Sequence, residues 1–218
     1  MELNIIDDTA ETSYSQMAQD LWVLAQTNKK RNGFFVDFGA TDGKTINNTY
    51  LLETEYDWTG IVAEPNPVYH ADLSRNRPNS TIVQDAVFTV TGEQLSFVSA
   101  YATDLSTILG YGTDDEHAAQ RVDKGQIITV SSISLFDMLE LANAREHIDY
   151  MSVDTEGSEY DILKAFFNDP RSKKYTIDYI TVEHNFTPLR EQIYNLLSLH
   201  GYGRAASVKW DDFYKKVA

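Results

Sequence analysis

The stretch Phe34-Phe35-Val36-Asp37-Phe38-Gly39-Ala40-Thr41-Asp42-Gly43 is an apolar run rich in β-formers that ends on an aspartate and two spaced glycines. Glycines at such a corner let the backbone turn sharply and come close to a ligand, and a helix start beyond them offers free N–H groups. This is the pattern of a nucleotide-type cofactor loop. It reads D-x-G-x-x-D-G (Asp37, Gly39, Asp42, Gly43) and lacks the third glycine of dinucleotide loops. A pyrophosphate wants glycine-lined amides and suffers from carboxylates, whereas a cationic cofactor tolerates them. S-adenosylmethionine, with a sulfonium, an ammonium and no phosphate, fits the acidic version.

Outward from this loop, apolar β-rich runs recur at 60–63, 81–84, 148–153 and 177–182, alternating with helical patterns at about 44–56, 66–76, 157–168 and 187–200. Alternation of this kind predicts a mainly parallel sheet covered by helices on both faces. Residues 15–27 read as an N-terminal helix, so residues 1–30 are expected to form a helical segment packed on a domain spanning 31–218. Thr91-Gly92, between two alternating runs in 86–100, predicts a hairpin, and 201–216 reads as an antiparallel ending. The irregular, charged stretch 103–126 is either a lid or a mobile loop.

Composition narrows the function. The 218 residues, 42% of them hydrophobic, suit one sizeable core. Thirty-three acidic against 18 basic side chains give a formal charge of −15, which disfavours nonspecific nucleic-acid binding. The absence of cysteine excludes disulfides, thiolate metal sites and a cysteine nucleophile. No apolar run reaches membrane-span length and the start lacks signal-peptide features, so a cytoplasmic protein is expected.

Three strand ends carry acids in order: the first loop, then Glu64 before Pro65, 21 positions after Gly43, then Asp85 before Ala86. Glu64 lies at the spacing at which an acid accepts from ribose hydroxyls, and Asp85 is suited to an adenine amino group. Each has a plainer alternative: Asp42 as a cap, Gly39 and Gly43 as turn residues, Glu64 as a solvated turn acid, Asp85 as a hairpin-start cap.

The runs YSQMAQDLWVL (14–24), NGFFVDFGATDGKTINNTYLLE (32–53), WTGIVAEPNPVYHADLSRNRP (58–78), VDTEGSEYDILKAF (153–166) and YITVEHNF (179–186), with the closing GYGRAASVKWDDFYKK, resemble the FkbM family of S-adenosylmethionine-dependent methyltransferases. Thr41 and Asn47 depart from the family's more usual N-D-G and S-N-T. The resemblance implies an α/β, Rossmann-like class I methyltransferase fold, with a seven-stranded, mainly parallel sheet whose last strand is antiparallel. It also implies that Asp37, Gly39, Ala40, Asp42, Gly43, Asn48, Thr49, Glu64, Pro65, Asp85, Ala86 and Asp154 lie about the cofactor. Methylation of sugar hydroxyls, such as those of rhamnose or fucose, is the activity it favours, which would suit association or fusion with a glycosyltransferase.

Reaction-centre candidates follow the fourth and fifth strands. His184 is the base expected for a weakly acidic hydroxyl, with Asp154, Glu156 and Glu183 as further catalytic groups. Glu156, Glu159 and His184 are candidates for sugar contacts. Asp154, Glu156 and Glu183 are also an oxygen-ligand set for magnesium or manganese. Acids before a helix equally serve its N-terminus, and His184 equally fills a strand-end turn. The other readings are an RNA or protein methyltransferase of the same fold, a nicotinamide-dependent oxidoreductase, and a catalytically silent binding module.

Overall fold

The computed structural model describes residues 12–100, 105–113, 118 and 125–217. Strand β1 (Phe34–Phe38) is buried along its whole length, as a central strand covered on both faces must be. It pairs in parallel with β2 (Thr59–Ala63) on one side and with β8 (His147–Val153) on the other. With β3 (Ser80–Val83), β9 (Thr176–Glu183), β10 (Tyr202–Val208) and β11 (Asp211–Lys216) they form a seven-stranded sheet in the order β10-β11-β9-β8-β1-β2-β3. Strand β11 slots between β9 and β10 and is antiparallel to both, so the expected antiparallel last strand is present.

The pleat sorts β1 by parity. Phe34, Val36 and Phe38 join the core under α4 (Leu135–Leu141), α5 (Glu159–Asn168) and α6 (Leu189–Leu199). Phe35 packs on the opposite face with Trp58, Tyr150 and Phe213, beneath α1 (Gln19–Gln26) and α2 (Tyr50–Tyr56) and beside Leu73 of α3 (His70–Asn76). Asp37 shares the parity of Phe35, and this governs its role below. Among the described residues, no helix is long and apolar enough to cross a membrane.

A second sheet corrects the hairpin expectation. Strands β4 (Ala86–Phe88) and β5 (Gln94–Ser99) do not pair with each other; both pair with β7 (Gln126–Ser134), giving the order β4-β7-β5-β6 with β6 (Thr107–Ile108). The Thr91-Gly92 turn is stitched to β7 instead, with Gly92 N donating to the Ser132 carbonyl at 2.9 Å. Of the stretch 103–126, residues 105–113 fold over the carboxyl edge of the main sheet through β6; residues 103–104, 114–117 and 119–124 lie outside the described residues, as do the first eleven of the N-terminal segment.

Candidate active site

At the end of β1 the chain turns at Gly39 (φ 91°), where a Cβ would lie 1.6 Å from the Asp154 carbonyl oxygen. Only glycine fits, because the loop after β8 crosses it directly. Thr41, also left-handed at φ 50°, donates its N–H to Glu64 Oε2 at 2.9 Å, and Asn66 N donates to Glu64 Oε1 at 2.7 Å. Glu64 thus braces two strand-end loops while lining the cleft between them, and burial raises its pKa to about 7 against those bonds. Asp42 accepts from Lys44 N and Thr45 N, capping the turn, and Gly43 packs on Arg77 and Leu73.

Asp37 does not reach the cleft. On the α2 face its carboxylate accepts from Asn47 Nδ2 (3.0 Å) and Thr49 Oγ1 (2.7 Å). The fully buried Arg77 completes this network, donating to Glu53 Oε2 (2.7 Å), Asn47 Oδ1 (2.9 Å) and Thr49 Oγ1 (2.9 Å). Asp37 is raised by burial, opposed by the Arg77 charge and by these donors. Arg77 and Glu53 are the members of this structural core that the sequence reading missed. The pairing of Arg77 before Pro78 with the acid of N-N-T-Y-L-L-E was the available signal.

The opposite balance holds at the ends of β8 and β9. Asp154, Glu156 and Glu183 bring carboxylate oxygens within 4.8 Å of one another. Asp154 and Glu183 face each other across this cluster with no cationic side chain between them among the described residues. Burial first, and then neighbouring carboxylates, hold both well above the ordinary range. Glu183 Oε2 is buried without a hydrogen-bond partner, as is Asn48 Oδ1, whose amide nitrogen donates to Ser152. Glu156 sits in a left-handed conformation (φ 59°), its carboxylate accepting from Asn185 Nδ2 at 3.2 Å and its carbonyl from Thr107 Oγ1 at 2.8 Å. Glu159 bonds back to Thr155 N and Gly157 N, each at 2.9 Å, and so locks the loop before α5.

The ends of β1, β2, β8 and β9 open onto one cleft, of about 1030 Å³ when the space open to solvent is counted. Gly39, Asn48, Glu64, Pro65, Ala86, Asp154, Glu156 and Glu183 meet there. Ala40, Thr49 and Asp85 are not on its wall; beyond β3, Ala86 and Val87 take that place. Gln16, Gln19, Trp210 and the β5–β6 residues Phe97 and Ile108 also line it and were not foreseen, since each comes from a distant part of the chain. The walls offer carboxylates and amides but, among the described residues, no lysine or arginine. That donor set suits a cationic ligand rich in hydroxyl and amino groups, and the orphaned Asn48 Oδ1 awaits such a donor. The residues therefore fit S-adenosylmethionine.

His184 lies beside this cleft, in a second hollow that shares Glu183 and Asn185 with it. Its Nδ1 accepts from Phe186 N at 3.0 Å, so the neutral ring carries its proton on Nε2, which lies 3.7 Å from Asp212 Oδ1. Burial lowers its pKa to about 4, with Asp212 opposing. A ring with one nitrogen occupied and the other protonated has no lone pair for a substrate proton, which argues against His184 as the base.

The sequence profile described as the methyltransferase FkbM domain matches residues 37–204. No curated protein matches the chain. Solved structures with a similar fold include a candidate RNA methyltransferase from Pyrococcus horikoshii (13% identity, 93% of this chain and 83% of the other, TM-score 0.47). Others are a precorrin-6y C5,15-methyltransferase from Geobacter metallireducens (10%, 96% and 94%, 0.47) and a human methyltransferase 10 domain containing protein (11%, 94% and 82%, 0.46). Likenesses this remote carry no argument about the chemistry of the chain.

Proposed function

We propose that this chain, which belongs to the methyltransferase FkbM family and uses S-adenosylmethionine, methylates a sugar hydroxyl of a glycan, glycolipid or glycosylated metabolite. When bound, the cofactor supplies an electrophilic methyl group on a sulfonium. Glu64 is suited to the ribose hydroxyls, the apolar wall of Ala86, Val87 and Phe97 to the adenine, and Asn48 Oδ1 with Asp154 to the ammonium.

The carrying observation is the unpartnered Glu183 Oε2, buried where the cleft meets the second hollow. A sugar hydroxyl is a weak nucleophile that must lose its proton as the new bond forms. A carboxylate whose pKa is lifted by burial and by Asp154 is a stronger base than an ordinary one, and Glu183 is the group we assign to that proton. Asp154 lies beside Glu183, and its charge adds to burial in holding Glu183 above the ordinary carboxylate range. Glu156 and Asn185 are suited to the acceptor's other hydroxyls, because carboxylates and amides grip neutral polyols without requiring charge. Among the described residues the cleft wall carries no lysine or arginine, which disfavours an acceptor rich in phosphate.

A divalent cation on Asp154, Glu156 and Glu183 is the second reading, favoured by the mutual closeness of their oxygens. The test is transfer of labelled methyl to rhamnosyl, fucosyl and hexosyl acceptors, with and without a chelator. The proposal expects methyl ethers and no effect of the chelator. Turnover lost to the chelator and restored by magnesium or manganese selects the cation, and labelling of RNA or protein alone overturns the sugar assignment.

A further inference from the structure

The cleft that suits the cofactor and the second hollow meet at the end of β9, where both are lined by Glu183 and Asn185. The second hollow, about 800 Å³ when the space open to solvent is counted, takes Tyr111 and Thr113 from the segment after β6, and Thr187 and Leu189 from the turn into α6. By contrast, the groove beside Arg171, lined by Thr91, Asp137 and Asp169, shares no residue with the cleft.

The walls of the second hollow are held by contacts of their own. Tyr111 Oη donates to Asp161 Oδ2 at 2.8 Å, and the ring stands edge-on to Phe88 with 5.8 Å between centroids. Gly157, at φ 123°, passes so close to the β6 segment that a Cβ on it would lie 2.6 Å from Gly112 N. A hollow walled in this way is formed before anything enters it. Two buried residues on its wall keep polar atoms without a hydrogen-bond partner, Glu183 Oε2 and His184 Nε2. The first is an acceptor when ionised, and the second, by the ring's tautomer, is a donor. Hydroxyl groups suit such a wall because each both donates and accepts.

Methyl transfer is an in-line displacement, so the attacking oxygen must approach the methyl group from the side away from sulfur. With the cofactor in the cleft, an oxygen that reaches Glu183 from the second hollow arrives from outside the cofactor's own space.

We infer that the second hollow is the acceptor subsite, which admits a neutral, hydroxyl-bearing glycosyl group between the β6 segment and the turn into α6 and brings one of its hydroxyls to Glu183. The inference rests on the sugar-acceptor reading above and adds to it the cavity that receives the sugar. The oxygen–methyl bond forms as the methyl–sulfur bond breaks, the hydroxyl proton passes to Glu183, and the sulfonium leaves as a neutral thioether. Among the described residues the wall of this hollow carries no lysine or arginine but does carry Glu159 and Glu183, so an anionic acceptor would meet like charge.

The experiment fills the hollow from two different elements, with Leu189→Trp at the start of α6 and Thr113→Trp after β6. It reads labelled methyl transfer to the glycoside panel, calorimetry with S-adenosylmethionine, and Tm. Each variant is expected to raise the KM for the glycoside by about 10-fold or more, while cofactor affinity and Tm stay at their wild-type values. Thr113 is exposed, so its variant keeps the test open if Leu189→Trp fails to fold. A wild-type KM in every variant that folds, for a glycoside the wild type methylates, overturns this inference and leaves the sugar reading intact. Weakened S-adenosylmethionine at an unchanged glycoside KM gives the hollow to the cofactor and also overturns it. If the wild type transfers methyl to no glycoside, the sugar reading fails and the inference falls with it.

Discussion

The polar network beneath α2 and the acid cluster at the ends of β8 and β9 are both buried and both rich in carboxylates, but they treat charge in opposite ways. In the network, Asp37 and Glu53 face Arg77, and Asn47 and Thr49 supply the remaining bonds. In the cluster, carboxylate faces carboxylate and one oxygen of Glu183 has no partner. Burial of balanced charges costs little once they are paired, whereas burial of unbalanced ones persists only where something else requires it. The first region explains a structure, and the second points to a reaction.

The contrast breaks most visibly at Arg77. Arg77→Ala leaves Glu53 and Asp37 buried without their cation and should cost about 3–5 kcal/mol, read by urea unfolding. A loss within 1 kcal/mol, roughly a surface-pair effect, would mean the network is not a structural keystone. Glu64→Ala should weaken S-adenosylmethionine by about 1.5–3 kcal/mol in calorimetry while the fold, checked by circular dichroism, survives. Equal affinity would remove Glu64 from the cofactor.

Glu183→Gln should stabilise the protein. The folded pKa of Glu183 is raised above its unfolded value, so its ionisation weighs against the fold once pH passes that unfolded value of about 4.3. The gain in Tm should be largest at neutral and higher pH and shrink as pH falls towards that value. A lower Tm at neutral pH would show that the acid cluster is structural after all. The smallest effect is expected at the histidine. His184 titrates low, so the wild type loses stability as pH falls from about 6.5 through about 4, and His184→Asn should flatten that loss in pH-dependent melts.

Much of this was legible from residues alone. The five parallel strands announced themselves because strands covered on both faces read as unbroken apolar runs, as Phe34–Phe38 does. The acids and glycines at their ends placed the cleft. What failed did so for physical reasons. Residues 44–49 were expected to be helical, but α2 begins only at Tyr50, because Asn47 and Thr49 spend their side chains on Asp37 and on each other. Asp37 was assigned to the ligand from its place near a strand end, whereas the pleat turns it to the other face. Strand β7 had a signal in Ile127, Ile128, Thr129 and Val130, hidden beside an irregular stretch. Gln16, Gln19 and Trp210 could not be seen, since no local pattern brings an N-terminal helix and a C-terminal turn to one cleft.

The most direct measurement is the pH dependence of kcat/KM for a glycoside that the wild type methylates, in the wild type, Glu183→Gln and His184→Asn. The wild type should lose activity as pH falls, with the limb above the ordinary carboxylate range, because the proton-accepting pair is held high by burial and mutual charge. That limb should persist in His184→Asn, and Glu183→Gln should lower kcat by about 10²–10⁴-fold. A Glu183→Gln enzyme with the wild-type rate, or an acid limb that disappears in His184→Asn, would contradict the account.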